Sequence, residues 1–201
     1  MSDERFAHDA FFIDQLIRPV ANLYRISTLG PDRTSGGDPL AFVRQKRLAL
    51  KEDIGFYADE SEQEELFRLK ARRVIEVGGR YDVVTPEGRR LGVLAKHFGA
   101  SLLRSTWTIL DSNEEPIALA RERSMPVALL RRVIDAVPYG ELVPILYHFT
   151  ITADGRELGS LRRPIGLRDR YVLLLDGDAE RRIDRRVAVA LAIALDALQS
   201  R

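Results

Sequence analysis

The side chains best suited to chemistry in this sequence are cationic. In Arg68-Leu69-Lys70-Ala71-Arg72 the cations alternate with apolar residues, and successive side chains of a strand point to opposite faces. Arg68, Lys70 and Arg72 then share one face, while Phe67, Leu69 and Ala71 share the other. With the apolar face packed inward, the three cations form an outer ladder that can hold the phosphate groups of a lipid or polynucleotide. Surface charge needs no special purpose, so pairing with carboxylates of neighbouring strands, such as Glu76 or Asp82, is the simpler expectation. Arg162 and Arg163, with Arg168 and Arg170, form a second basic cluster. Arg181-Arg182 with Arg185-Arg186 forms a third, which suits anchoring of the segment that follows it.

Groups that could catalyse or bind metals are sparse. His8, His97 and His148 are the three imidazoles, Cys is absent, and no HExxH spacing occurs, so neither a metal site nor a disulfide is expected. Alternation puts His148 on the polar face of its strand, and His97 follows Lys96 at a strand end; both read as surface or satisfied side chains. There is no G-x-S-x-G, P-loop or G-x-G-x-x-G, and Ser101 lacks the second glycine of a nucleophile turn. No catalytic residue and no cofactor are therefore expected. Asp176-Gly177-Asp178-Ala179-Glu180 is calcium-like only on the surface, because the twelve-residue spacing of a metal loop is missing. Asp59 to Glu65 holds five acids in seven residues and reads as a solvated hairpin tip.

Overall charge narrows the classes further. The chain has 31 basic and 30 acidic residues, a net charge of +1, with 27 Arg against 4 Lys. A wholesale nucleic-acid binder shows a clear positive excess, so that class is disfavoured. At 201 residues and 45% hydrophobic composition, one globular domain over 1–201 is expected. Acidic residues at Asp3 and Glu4, with no apolar core after them, do not suit a signal peptide. A cytoplasmic protein is expected, peripheral at the membrane if its cations meet one.

Strands must position these residues. Tyr147–Thr152 alternates, turns at Ala153-Asp154-Gly155 and returns through Arg156–Leu161. Tyr81–Thr85, Pro86-Glu87-Gly88 and Arg89–Leu94 repeat the unit. Superposing the two without gaps places Gly88 on Gly155, Gly92 on Gly159 and Leu94 on Leu161. Looser copies join Leu23–Ser27 to Leu40–Gln45 across a loop at 28–39, Phe56–Asp59 to Glu65–Leu69, and Trp107–Asp111 to Pro116–Ala120. Gly78-Gly79 predicts a two-residue hairpin with positive φ. Phe11–Ile17, ahead of Pro19, reads as a short first strand. The total is about a dozen. Ser124–Val137 reads as helical, with Pro126 in the first turn and a short helix near 126–137.

The C-terminal segment differs from all of this. Val187–Leu195 is uninterruptedly apolar, five alanines lie between 188 and 197, and charges flank it. A helix apolar all round must be enclosed all round, and this one is too short to span a bilayer. Alanine keeps it slim enough to thread a barrel of about eleven or twelve strands. The sequence thus predicts an antiparallel barrel around a buried helix at about 184–199.

Four stretches carry a resemblance to a known family. They are Phe42-Val43-Arg44-Gln45-Lys46-Arg47, Glu65-Leu66-Phe67-Arg68-Leu69-Lys70, Tyr81-Asp82-Val83 with Pro86-Glu87-Gly88, and Ile183 to Leu191. In their order, from about Phe11 to the end, the chain resembles the LURP-one-related proteins, which belong with the tubby C-terminal domain and the phospholipid scramblases. The resemblance implies a mainly β fold, a twelve-stranded antiparallel barrel around a C-terminal helix. Tubby-like domains bind phosphoinositide headgroups through basic side chains. Scramblases carry a Cys-rich stretch and a calcium-binding segment, and this chain has no Cys. The likeness therefore carries over the fold and not a reaction. The leading expectation is a non-catalytic binding or scaffold domain for an anionic lipid headgroup, a membrane surface or a protein partner. Its expected anion site is Arg68, Lys70, Arg72, Arg162, Arg163, Arg168 and Arg170. The alternative is an enzyme or small-molecule carrier using a cavity between barrel and helix.

Overall fold

A computed structural model describes residues 4–17, 21–46, 53–72, 79–97, 106–123, 148–163 and 170–197. Its strands are β1 (Ala10–Ile17), β2 (Ala21–Leu29), β3 (Gly36–Lys46), β4 (Asp53–Tyr57), β5 (Glu65–Ala71) and β6 (Arg80–Val84). They continue with β7 (Arg90–His97), β8 (Thr106–Leu110), β9 (Pro116–Glu122), β10 (His148–Ala153), β11 (Arg156–Arg162) and β12 (Arg170–Leu174). Each pairs antiparallel with its neighbours in sequence, and β1 pairs with β12 to close the ring. Among the described residues closure leaves no sheet edge unpaired, which removes the aggregation hazard of an open sheet.

Period-two patterning decides which side chains enter the ring. Along β10, Phe149, Ile151 and Ala153 are buried while His148, Thr150 and Thr152 are half-buried. Phe56 and Phe67, on paired strands, stack inside with ring centroids 4.2 Å apart. The helix α1 (Arg185–Ala197) shares one core with the inward residues, and every residue of it except Asp196 is buried. Enclosure by the barrel satisfies a helix that has no polar face. Its first turn is capped by Asp184, whose Oδ1 accepts the backbone N–H of Arg186 at 2.9 Å. At the far end Asp196 accepts hydrogen bonds from the hydroxyls of Tyr24 (2.6 Å) and Tyr171.

The internal repeat has a structural counterpart. The β6–β7 ladder shifts register between Val83 and Val84, opposite Gly92, and the β10–β11 ladder shifts between Ile151 and Thr152, opposite Gly159. A Cβ at Gly92 would stand 2.8 Å from the carbonyl oxygen of Leu110, and one at Gly159 would drive into that of Leu174. Both glycines let the next strand approach a bulge.

One local expectation changes. Most of the predicted loop at 28–39 tightens, because Asp32 Oδ1 accepts the backbone N–H groups of Thr34 (3.1 Å) and Ser35 (3.0 Å), letting β3 start at Gly36. The Thr34 backbone bond first, then the hydroxyls of Ser35 and Thr34, which also donate to this carboxylate, hold the Asp32 carboxyl down to about 2. β6 pairs with β5, Ala71 lying opposite Tyr81. Gly79, the second residue of the predicted Gly78-Gly79 turn, accepts the backbone N–H of Lys96 at 2.8 Å, extending the β6–β7 ladder. Val74 to Gly78 and the helix expected near 126–137 lie outside the described residues.

Candidate anion-binding surface

The outer ladder of β5 forms as the alternation requires, but its arginines are occupied. Arg68 donates to both oxygens of Glu65 and to Asp53 at 2.9 Å. Arg72 reaches both oxygens of Asp82 (2.9 and 2.8 Å) and both of Glu114 (3.0 and 2.9 Å). Both guanidiniums are held more firmly protonated, Arg68 by Glu65 first and Arg72 by Asp82 first. Lys70 is exposed between them, with Asp53 and Asp82 opposite on the flanking strands.

The third basic cluster is an anchor for α1. Arg185, 4% exposed in its side chain, donates to Asp178 and Asp9, each at 2.6 Å. Arg181 bonds to the carbonyl of Ala7 at 2.7 Å, Arg182 to Asp154 at 2.7 Å and Arg186 to Asp184 at 2.6 Å. Two arginines at a helix N-terminus oppose the helix dipole, and these carboxylates offset them. The acidic run from Asp59 also serves the fold, because arginines from distant segments meet it. Arg25 pairs with Glu60 (2.5 Å), Arg44 with Glu62 (2.5 Å) and Arg5 with Glu64 (3.1 Å).

A different row of cations converges on the outside of β9, β10 and β11. Ala120, Phe149, Ile151 and Leu161 point into the core, so alternation turns Arg121, His148, Thr150 and Arg162 outward. Arg121 lies opposite Thr150, and His148 lies opposite Arg162. The backbone N–H of Arg123 donates to the carbonyl of His148 at 2.7 Å, carrying the β9 side one residue pair further. Arg123 shares its face with Arg121, two residues back. Directly opposed residues have Cβ atoms about 4.5–5.5 Å apart. Arg123 and Arg162, both exposed, thus stand opposite one imidazole, with exposed Arg121 next along the same face.

The imidazole registers the local field. His148 is held below its ordinary pKa by burial first, then by Arg162 and Arg123, with Glu157 the weakest influence and the one opposing it. Among the described residues Arg121, Arg123 and Arg162 form no ion pair. An anion placed over the row would meet guanidinium donors without displacing a carboxylate.

The second sequence cluster divides. Arg162 joins this row, Arg170 stands on β12 with its Nε 3.5 Å from Asp14, Arg163 is half-buried and engaged, and Arg168 lies outside the described residues. Sequence reasoning missed Arg121 and Arg123. The signal was present in Ala120-Arg121-Glu122-Arg123, two cations at strand spacing after an apolar residue. His97 is satisfied by the Thr108 hydroxyl, 2.6 Å from its Nε2.

Among the described residues no group of three metal-ligating side chains forms, and no helix is long and apolar enough to cross a membrane. A cavity of about 370 Å³ lies where α1 enters the barrel, lined by Leu91, Ile117, Ile183 and Val187 among others. Neither it nor the two larger surface depressions is lined by His97 or His148. A family model described as LURP-one-related matches residues 40–196. No curated protein matches the chain.

Proposed function

The chain belongs to the LURP-one-related family, and from that membership we propose that it is a non-catalytic binding domain whose β9–β11 outer face holds anionic lipid headgroups at a membrane surface. The observation that carries this reading is that Arg123 and Arg162 act on His148, with Arg121 beside them on the same face, and that none of the three has an acid partner among the described residues. Elsewhere on the barrel, Arg68 and Arg72 are bound by carboxylates. The strand ladder holds the Cα positions of these residues side by side on one face.

The test is vesicle flotation with the full chain at low salt, comparing phosphatidylserine-containing vesicles with purely neutral ones. Selective flotation with the anionic vesicles, weakening as salt rises, is expected. Equal recovery with both, or none with either, refutes the membrane reading.

A further inference from the structure

The arginine row has a titratable group in its middle. His148 and Arg162 are directly opposed across β10 and β11. On the other side the backbone N–H of Arg123 donates to the carbonyl of His148 at 2.7 Å. The imidazole therefore belongs to a residue set between two arginines at neighbouring-strand spacing, about 5 Å on either side. Its Nε2 is shielded and meets no hydrogen-bond partner, so no contact at that nitrogen fixes the ring in one charge state.

The charges around the ring come from its two flanking strands. On β9 they are Arg121, opposite Thr150, and Arg123. On β11 they are Arg162 and, farther along, Glu157, which lies opposite Thr152. On β10 itself the outward neighbours Thr150 and Thr152 are neutral. His97 stands apart from this set: Thr106 separates it from Arg121, and the Thr108 hydroxyl meets its Nε2 at 2.6 Å.

Three cations against one distant carboxylate disfavour the imidazolium. They act in the same sense as the burial that first holds His148 below its ordinary pKa. An anion over the row reverses that field, because it offsets Arg123 and Arg162. It acts on the imidazole through space and needs no contact with the shielded nitrogen.

We propose that the row is a proton-coupled site: an anionic headgroup held by Arg123 and Arg162 draws a proton from solvent onto His148, and acidification in turn tightens the hold. This rests on the membrane reading above and adds its regulation. Coupling between two ligands is reciprocal. A charge placed within about 4–6 Å changes proton affinity about tenfold or more, so a charged His148 strengthens anion binding by a comparable factor. At about pH 8 the imidazole is neutral, and towards about pH 5 it adds a cation to the three arginines.

The experiment is flotation of the full chain at fixed low salt with vesicles of phosphatidylglycerol in phosphatidylcholine, at about pH 8 and about pH 5. The phosphodiester keeps its charge across that interval, so the lipid does not supply the response. Affinity is expected to rise about five- to tenfold on acidification. In His148→Gln the ratio between the two pH values should fall to within about twofold, whereas His97→Gln should keep the parent's ratio. A parent ratio near one, a ratio undiminished in His148→Gln, or one lost in His97→Gln overturns the coupling and leaves the membrane reading intact. No flotation at either pH overturns both. A second measurement needs no variant: the imidazole C–H signal of His148 is titrated by NMR with and without dihexanoylphosphatidylglycerol below its micelle concentration. The titration should move to higher pH with the lipid present. An unmoved titration while the amides of Arg123 and Arg162 shift overturns the coupling.

Discussion

Asp178→Ala should be among the most damaging single changes in the protein. The Asp178 carboxylate is fully enclosed and accepts the backbone N–H groups of Arg182 (2.9 Å) and Ile183 (3.1 Å), as well as Arg185 Nη1 (2.6 Å). Its removal orphans two backbone donors and leaves Arg185, 4% exposed, with Asp9 as its remaining carboxylate. Removing one partner of a buried pair costs about 3–5 kcal/mol. That is a large share of the roughly 5–15 kcal/mol that holds an ordinary domain. Asp9 binds the same guanidinium but is 56% exposed, so Asp9→Ala should cost only about 1 kcal/mol. Urea denaturation followed by circular dichroism and by the fluorescence of the single, fully buried Trp107 measures both variants. For a chain this long, about 4 kcal/mol corresponds to a fall in Tm of roughly 10 °C. Combining Asp178→Ala with Arg185→Met should recover part of the loss, because no charge is then stranded in the interior. If Asp178→Ala stays within about 1 kcal/mol of the parent, or Asp9→Ala costs as much, the anchoring of α1 is wrongly assigned.

Three further outcomes are expected. Gly159→Ala should destabilise by about 1–3 kcal/mol or more, since its Cβ would meet the backbone oxygen of Leu174 rather than a movable side chain; an unchanged urea midpoint contradicts the close approach. Asp9 and Glu65 are held below the ordinary carboxylate pKa, chiefly by hydrogen bonds from Arg185 and Arg68 respectively. The stability they add is therefore present above the unfolded value, near pH 4, and is lost as pH falls through their lower folded values; a urea midpoint that rises between pH 5 and pH 2 would contradict this. An NMR titration should find His148 below its ordinary pKa, and Arg162→Gln should raise it, because a neighbouring cation disfavours the imidazolium; no change places Arg162 elsewhere.

Much of the architecture is legible in the sequence because burial imposes a period on it. Phe149 and Ile151 alternate with His148 and Thr150 strictly enough to fix both strand and facing, and Val187–Leu195 can be satisfied only by enclosure. Punctuation carries less. Asp154-Gly155 marks a real hairpin with positive φ at both residues, whereas the Gly78-Gly79 signal falls largely outside the described residues. The arginines show the wider limit. Arg68, Arg72, Arg121 and Arg123 look alike along the chain, and what separates them is which carboxylates the closed ring brings near. Glu114 reaches Arg72 across 42 positions, and no spacing rule anticipates that contact.

The central claim is that the row Arg121, Arg123 and Arg162, and not the paired ladder, meets anionic headgroups. One flotation series tests it, comparing the parent chain, the triple change of these residues to Gln, and the double change Arg68→Gln with Arg72→Gln. Each cation near an anionic membrane contributes about 1 kcal/mol, so the triple variant should bind about a hundredfold more weakly. The double variant removes charges already balanced by Asp53, Glu65, Asp82 and Glu114, and should keep its affinity for anionic vesicles. Parent-like binding by the triple variant, with loss in the double, would contradict the account.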